Sequence, residues 1–177
     1  MTTPDLVLYD EEFRKIKDSL HRLAADANAN VVFLVDKNGQ QIAAVGDLTS
    51  LDTTSLASLT AGNVAATDGL ARILGEREFS MLLHEGEKEF SILFHEGERD
   101  NIHISIVAQR VILVVIFDER TSLGLVRLRV RRAMAELESI FQDIARKAEK
   151  EKQALQADFD SPFAEITDED IDRLFSE

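Results

Sequence analysis

Cysteine and tryptophan are absent from this sequence of 177 residues, and proline occurs only twice. Without cysteine the chain forms no disulfide, no thiolate metal site and no thiol nucleophile. No apolar run approaches the roughly 20 residues of a membrane-spanning helix, and the first residues lack a basic segment followed by an apolar one. We therefore expect a cytoplasmic protein without membrane insertion.

Basic residues are scarce, since 20 Lys and Arg stand against 33 Asp and Glu, for a net charge of −13. Binding to DNA, RNA or an anionic membrane depends mainly on Lys and Arg, so we expect no nucleic-acid partner. The charge is also uneven. Residues 158–177 carry eight acids and one base, whereas residues 127–152 carry eight bases and five acids. This pattern divides the chain into an acidic body, a weakly basic helix and an acidic tail.

Apolar periodicity predicts three helices, because apolar side chains recur at steps of three and four. Capping residues at 52–55 precede the second helix, and Gly75 follows it at the position of a left-handed C-cap. Thr121 or Ser122 is expected to cap the third helix. The predicted helices cover residues 10–27, 56–74 and 123–152.

The strand signals are β-branched runs separated by turns. Residues 31–35 and 40–45 flank an Asn-Gly turn and predict a hairpin, while residues 79–118 are expected to contain the remaining strands. The last run, 111–117, is suited to a central strand that is covered on both faces. The order favours an α+β fold in which an antiparallel sheet of about five strands has one helix on one face and two on the other.

Residues 78–88 are followed at once by a tandem copy, residues 89–99. The duplication predicts either an additional edge strand or an extended loop, and an exposed edge favours a position near a subunit interface. His84 and His95 each precede a Glu-Gly pair, but no third ligand stands at metal-binding spacing, so we expect no metal site. The repeat is therefore interpreted as a duplicated strand with its turn.

The second helix carries a stripe of small residues at steps of four, with further small residues beside it. Such a stripe allows another backbone to come close and favours an intermolecular contact. The alternative is an alanine-rich helix whose larger apolar residues face its own sheet. The stripe is Ala57, Ala61, Ala65 and Gly69, flanked by Ser58, Gly62 and Ala66; the larger residues are Leu56, Leu59, Val64, Leu70 and Ile73.

Four arginines, Arg127, Arg129, Arg131 and Arg132, lie at the start of the third helix. They could hold phosphates or carboxylates, but a solvated face paired with local acids is the favoured interpretation. No nucleophile elbow, catalytic carboxylate pair or phosphate-binding glycine loop is present in the sequence. We therefore expect no catalytic residue, no cofactor and no enzyme activity of the chain's own.

The expected domain organisation is one domain over residues 1–152 and a flexible acidic tail over residues 153–177. Within the tail, residues 167–170 have the form of a capping box, and Ile171, Leu174 and Phe175 then form one apolar edge. A helix shorter than about 12 residues is marginal in water, so this segment is expected to order when it docks on a partner.

Several of these strings together resemble bacterial members of the Roadblock/dynein light chain family. The resemblance implies a homodimeric GTPase-activating protein for a MglA-type Ras-like GTPase, with a pair of subunits engaging each GTPase. It also implies a role in cell polarity and gliding motility, and concentration at a cell pole. The alternative is a non-catalytic scaffold that binds a GTPase or polarity proteins. The strings are residues 31–39, 51–66, 111–118, 120–127 and 161–177.

The resemblance, taken with the small stripe, assigns positions to each contact. It implies that the activator supplies no arginine finger and remodels the GTPase so that the partner's own arginine and glutamine act. The tandem copy departs from the family pattern and puts the edge-strand contact in question. GTPase contacts are expected at Ala61, Ala65, Gly69, Ile171, Leu174 and Phe175. Dimer contacts are expected at Ala57, Ser58, Gly62, Phe90, Ile92 and Phe94.

Overall fold

The computed structural model of this chain describes residues 9–49, 51–74, 92–108 and 111–160. The predicted C-cap Gly75, most of the tandem repeat with His84 and Phe90, and the docking segment 161–177 lie outside these residues. The helices and strands follow in the order α1 (Asp10–Ala27), β1 (Val31–Asp36), β2 (Gln41–Gly46), α2 (Thr53–Leu74), β3 (Ile92–Glu96), β4 (Asn101–Val107), β5 (Val111–Phe117) and α3 (Leu123–Asp160).

The strands form a five-stranded sheet in the order β2-β1-β5-β4-β3, and every neighbouring pair is antiparallel. The predicted α+β class is therefore confirmed. Strand β5 is buried along its whole length, as its continuous β-branched run predicted. The second copy of the tandem repeat supplies β3, which pairs with β4 so that Leu93 lies opposite Ile104.

One face of the sheet packs against α2. Alternate residues of the strands point to this face, because successive side chains of a strand point to opposite sides. They form a core with the inner side of the helix. This core contains Val31, Phe33, Val35, Ile104, Ile112, Val114 and Ile116 from the strands and Ala57, Ala61 and Val64 from α2.

The opposite face of the sheet is covered by α1 and the first part of α3. These two helices are joined by Glu136 of α3, whose carboxylate accepts a hydrogen bond of 2.9 Å from Ser19 Oγ and pairs with the Arg22 guanidinium. The distribution of one helix on one face and two on the other agrees with the sequence prediction. The buried residues of these helices include Ile16, Leu20, Leu23, Val126, Val130, Met134 and Leu137.

Helix α3 is longer than the sequence predicted. It ends at Asp160, so residues 153–160, which we expected to belong to a flexible tail, are helical. The helix begins as expected, since Ser122 Oγ accepts a hydrogen bond of 3.3 Å from the Leu125 amide. No proline or glycine interrupts it after Gly124, and Pro162 is the next residue that would stop it. Residues 8–141 form one compact unit, and the rest of α3 belongs to a second.

No helix within the four described ranges is long and apolar enough to cross a bilayer. Within the same ranges, no cluster of His, Asp and Glu side chains is arranged to hold a metal ion.

Candidate functional site

The turn between β1 and β2 fixes the first part of α2. Asp36 Oδ1 accepts hydrogen bonds of 2.8 Å from the amides of Asn38 and Gln40, which closes the turn. Gly39 takes a φ of 87°, and a Cβ atom at this position would stand 3.1 Å from the Cα of Ser58. Ser58, an expected dimer contact, is therefore packed at its backbone by the chain's own hairpin while its side chain is exposed.

The start of α2 is capped by Asp52. Its Oδ1 accepts a hydrogen bond of 3.1 Å from the Ser55 amide, and its Oδ2 accepts one of 2.6 Å from Ser55 Oγ. These hydrogen bonds to Ser55 lower the pKa of Asp52, because they stabilise the ionised carboxylate. The predicted capping residues are thus used as expected, and they set where the helix begins.

The inner side of α2 is made of small residues. Ala57 is 0% exposed and Ala61 is 6% exposed, and both belong to the core beneath the helix. The sequence predicts Ala57 at a dimer contact and Ala61 at a GTPase contact; in the single chain both side chains lie against their own sheet, and the two contacts remain predictions. Because a methyl group is short, these two residues let the helix approach its own sheet.

The large apolar residues of α2 point outward. The alternative interpretation of the sequence placed them against the sheet. Leu59 is 72% exposed, Leu70 57% and Ile73 81%. Of the residues named as a possible core side, only Val64 is buried and Leu56 half-buried. Large exposed apolar residues on one face of a helix are typical of an interaction surface.

The exposed side of α2 has two edges, which differ in side-chain size. The large edge carries three large apolar side chains, Leu59, Leu70 and Ile73, and the small Ala66 lies on the same side of the helix between Leu59 and Leu70. The small edge consists of Ala65 and Gly69, one helical turn apart, and Gly62 lies between the two edges. A Cβ atom added at Gly62 or Gly69 would have no neighbour within 4 Å, so the small edge is open.

The exposed side of α2 carries no charge before Asp68, and Arg72 is the exposed charged residue near its end. No charged residue lies between Asp52 and Asp68, although several side chains in this interval face solvent. A solvated helix face ordinarily carries charged side chains, so the outer side of α2 has the composition of a covered surface. We call the two edges together the outer α2 surface.

Phe94 of the edge strand β3, an expected dimer contact, packs against a residue of its own chain. The Phe94 ring stacks on the Phe117 ring, with 6.3 Å between the centroids and 22° between the planes. Phe94 is half-buried, on the sheet face opposite α2. The Ile92 side chain and the whole of Phe90 lie outside the described part of the chain. Their dimer contacts therefore remain predictions.

A buried polar pair that the sequence reasoning missed lies on β4. His103 and Ser105 are fully buried, and 3.1 Å separates His103 Nε2 from Ser105 Oγ. Burial, together with the smaller effect of the positive charge of Arg127, lowers the pKa of His103 to about 4. The imidazole is therefore neutral near pH 7 and closed to any substrate. Polar residues at alternate positions of β4 are typical of an exposed strand face. The sequence pattern therefore gave no sign of burial, which comes from the packing of α3 on this face.

The four arginines of α3 do not match the favoured sequence interpretation. Arg131 and Arg132 are exposed and Arg127 and Arg129 half-buried, yet none forms an ion pair with an acid in the described ranges. Their pairing with local acids, expected from the sequence, is thus not found among these residues.

Arg120, which precedes α3, is held by its own chain. Its guanidinium pairs with Asp118, with 2.9 Å between the atoms, and donates a hydrogen bond to the Asn30 side chain. Asn30 in turn donates a hydrogen bond of 3.1 Å to Asp118 Oδ2. The hydrogen bonds from Arg120 hold the pKa of Asp118 well below its usual range. This cluster joins the segment before β1 to the segment after β5.

Comparison with known proteins decides the family. A model of the Roadblock/LC7 domain matches residues 15–93. The structure of Myxococcus xanthus MglB is similar with a TM-score of 0.68 and 56% sequence identity, over 78% of this chain and 96% of that chain. The chain belongs to the Roadblock/LC7 family.

Other Roadblock/LC7 structures of the MglB type agree. The gliding protein MglB of Thermus thermophilus is 30% identical with a TM-score of 0.67, over 80% of this chain and 99% of that chain. A structure of MglB with a tetrameric arrangement is 29% identical with a TM-score of 0.68, over 81% of this chain and 99% of that chain. Curated proteins give no match. The family resemblance seen in the sequence is thereby confirmed, together with the Roadblock fold.

Proposed function

We propose that this chain is a homodimeric activator of GTP hydrolysis by a MglA-type Ras-like GTPase. The observation that carries the proposal is its 56% identity to Myxococcus xanthus MglB over 96% of that chain. The proposed setting is cell polarity and gliding motility, in the cytoplasm with concentration at a cell pole. The chain itself hydrolyses nothing and needs no cofactor.

The large edge of the outer α2 surface is the proposed contact with a second copy. Leu59, Leu70 and Ile73 expose apolar area that two antiparallel α2 helices would remove from water. Burial of apolar area stabilises by roughly 25 cal/mol per Å², so a few large side chains contribute substantially. Gly62 lies beside this edge and would allow the two backbones to approach closely.

The small edge, Ala65 and Gly69, is the proposed contact with the GTPase. The absence of bulk at these positions leaves room for a partner's backbone, and no neighbouring side chain fills that room. A pair of α2 helices related by a two-fold axis would present two small edges, which suits a complex in which both subunits engage one GTPase. The apolar edge of the tail, Ile171, Leu174 and Phe175, is proposed to dock on the same GTPase and to modulate its nucleotide cycle.

The proposed mechanism supplies no arginine finger. Arg120 is occupied by Asp118 and Asn30, which supports this view. An activator without a finger accelerates hydrolysis by ordering the partner's own arginine against the γ-phosphate and its glutamine against the attacking water. The gain then arises from electrostatic preorganisation within the GTPase.

A non-catalytic scaffold is the second candidate function. It is favoured by the chemistry of the outer α2 surface, which is apolar and uncharged and so is suited to binding. A scaffold of this kind would bind a GTPase or polarity proteins without changing the rate of hydrolysis.

Single-turnover GTP hydrolysis distinguishes the two candidates. The chain is added in increasing amounts to a MglA-type GTPase loaded with GTP, and phosphate release is followed. An activator raises the rate until the GTPase is saturated, whereas a scaffold binds the GTP-loaded form and leaves the rate unchanged. Phosphate release by the chain without the GTPase would contradict both candidates.

A further inference from the structure

The second part of α3 differs from every other helix segment in the described ranges. All side chains from Ala145 to Ala154 are exposed, although the helix continues to Asp160. No apolar residue larger than alanine occurs between Ile144 and Leu155. These ten residues therefore form a helix without an apolar face to bury.

Local side-chain contacts support this helix. Arg146 forms an ion pair with Asp143, three residues earlier, and Gln153 Nε2 donates a hydrogen bond of 3.3 Å to Glu149 Oε1, four residues earlier. Pairs at these spacings stabilise an isolated helix by about 0.2–0.5 kcal/mol each. The segment also consists only of Ala, Arg, Lys, Glu and Gln, all of which are strong helix formers. A helix that is polar all round and stabilised in this way is typical of a solvent-exposed bridge between two parts of a protein.

We propose that residues 145–154 are a rigid helical spacer that holds residues 161–177 at a set distance for binding the GTPase. The inference rests on the proposed function, because it assigns a role to the tail. Ten helical residues span about 15 Å. A Gly/Ser chain of the same length has a similar average span, roughly 17 Å, but its ends sample a wide range of separations. A stiff spacer narrows the range of positions that the tail samples, and this raises the effective concentration of the tail at its binding site when the spacer spans the distance to that site.

The test replaces residues 145–154 with a Gly/Ser sequence of equal length in the full chain. The control keeps the helix and reverses one exposed pair at a spacing of four residues, by Lys147→Glu with Glu151→Lys, so that the net charge is unchanged. A third chain ends at Asp160 and lacks the tail. Far-UV circular dichroism reports whether each variant keeps its helix, and the Kd for a MglA-type GTPase loaded with a non-hydrolysable GTP analogue is measured for all.

We expect the Gly/Ser variant to bind about tenfold more weakly than the wild type, and the charge-reversed control to bind equally well. If the truncated chain binds more weakly but the Gly/Ser variant matches the wild type, the spacer is overturned and the docking role of the tail stands. A charge-reversed control that loses affinity while keeping its helix overturns the spacer in favour of a direct contact by these side chains. Equal affinity of the truncated and complete chains overturns the docking role of the tail and the spacer with it.

Discussion

Gly39 in the β1–β2 turn lies directly against the backbone of Ser58 in α2, where a Cβ atom on Gly39 would stand 3.1 Å from the Ser58 Cα. The contact joins the hairpin to the helix that carries the outer α2 surface. Since Gly39 also takes a φ of 87°, both the turn and the helix position require a residue without a side chain.

Replacing Gly39 by alanine is expected to lower the free energy of unfolding by about 1–2 kcal/mol, because the left-handed backbone and the close approach both oppose a Cβ atom. Urea denaturation measures the change. Gly124→Ala is the matched control, since a Cβ atom there has no neighbour nearer than Ser122 Oγ at 4.0 Å, and it should not destabilise. Equal unfolding free energies for wild type and Gly39→Ala would contradict the close approach.

The dimer proposal predicts that Leu59→Glu together with Ile73→Glu yields a folded monomer. Both side chains are exposed in the single chain, so the substitutions should leave its melting temperature nearly unchanged while charge opposes burial against a second copy. Sedimentation measures the mass in solution.

Leu128→Glu controls for a general effect of surface charge, because Leu128 is 56% exposed on α3 rather than α2. This control should remain a dimer. A dimer that survived both substitutions on α2 would exclude the large edge as the contact.

If the small edge contacts the GTPase, a larger side chain at this edge should weaken binding without lowering the stability of the fold. Ala65→Arg should weaken binding to the GTP-loaded GTPase by about 100-fold or more, because a long charged side chain would be buried at the contact. Gly69→Ala should raise the unfolding free energy by about 0.5–1 kcal/mol and still weaken binding. Titration of the GTPase gives the Kd, and Ala135→Arg on the exposed side of α3 is the control. Undiminished binding by Ala65→Arg would refute this use of the edge.

Arg72 is the exposed arginine beside the small edge. Its substitution tests whether this chain supplies an arginine finger to the GTPase. An arginine finger contributes about 10³–10⁵ to the rate of GTP hydrolysis. We expect Arg72→Met, which keeps the length of the side chain, to retain saturated hydrolysis within about threefold. Single-turnover rates at saturating activator separate this effect from weaker binding. A loss of about 1,000-fold would mean that Arg72 acts as a finger.

The burial of a neutral His103 predicts that the folded chain loses stability in acid. Its pKa is about 4 in the folded chain and about 6.5 when unfolded. As the pH falls from 6.5 towards 4, the unfolded chain binds a proton that the folded chain does not, so the unfolding free energy falls by about 3 kcal/mol in total. Urea denaturation across this pH range is compared with His103→Gln, which cannot titrate. Parallel pH profiles for the two proteins would show that His103 does not control the loss.

The sequence predicted the sheet well because its signals are local. The Asn38-Gly39 pair between two β-branched runs specified the hairpin, and the continuous apolar run of β5 specified a central strand. The end of α3 was predicted less well. Residues 153–160 contain only two large apolar residues, Leu155 and Phe159, so periodicity gave little reason to extend the helix, although most of these residues favour one.

The rotation of α2 about its own axis could not be read from the sequence. Apolar residues occur all round this helix, and it carries no charge before Asp68 that would mark a solvated face over its first four turns. Packing resolved the ambiguity, since Ala57 and Ala61 let the helix approach the sheet closely and thereby turned Leu59, Leu70 and Ile73 outward.

By itself the sequence determined the order of the elements, the antiparallel hairpin and the family, because these follow from local propensity and from strings of neighbouring residues. Only the tertiary structure decided which side of α2 is available to a partner and that His103 is buried. Both depend on contacts between residues far apart in the chain, where the shape of one surface determines what the other can cover.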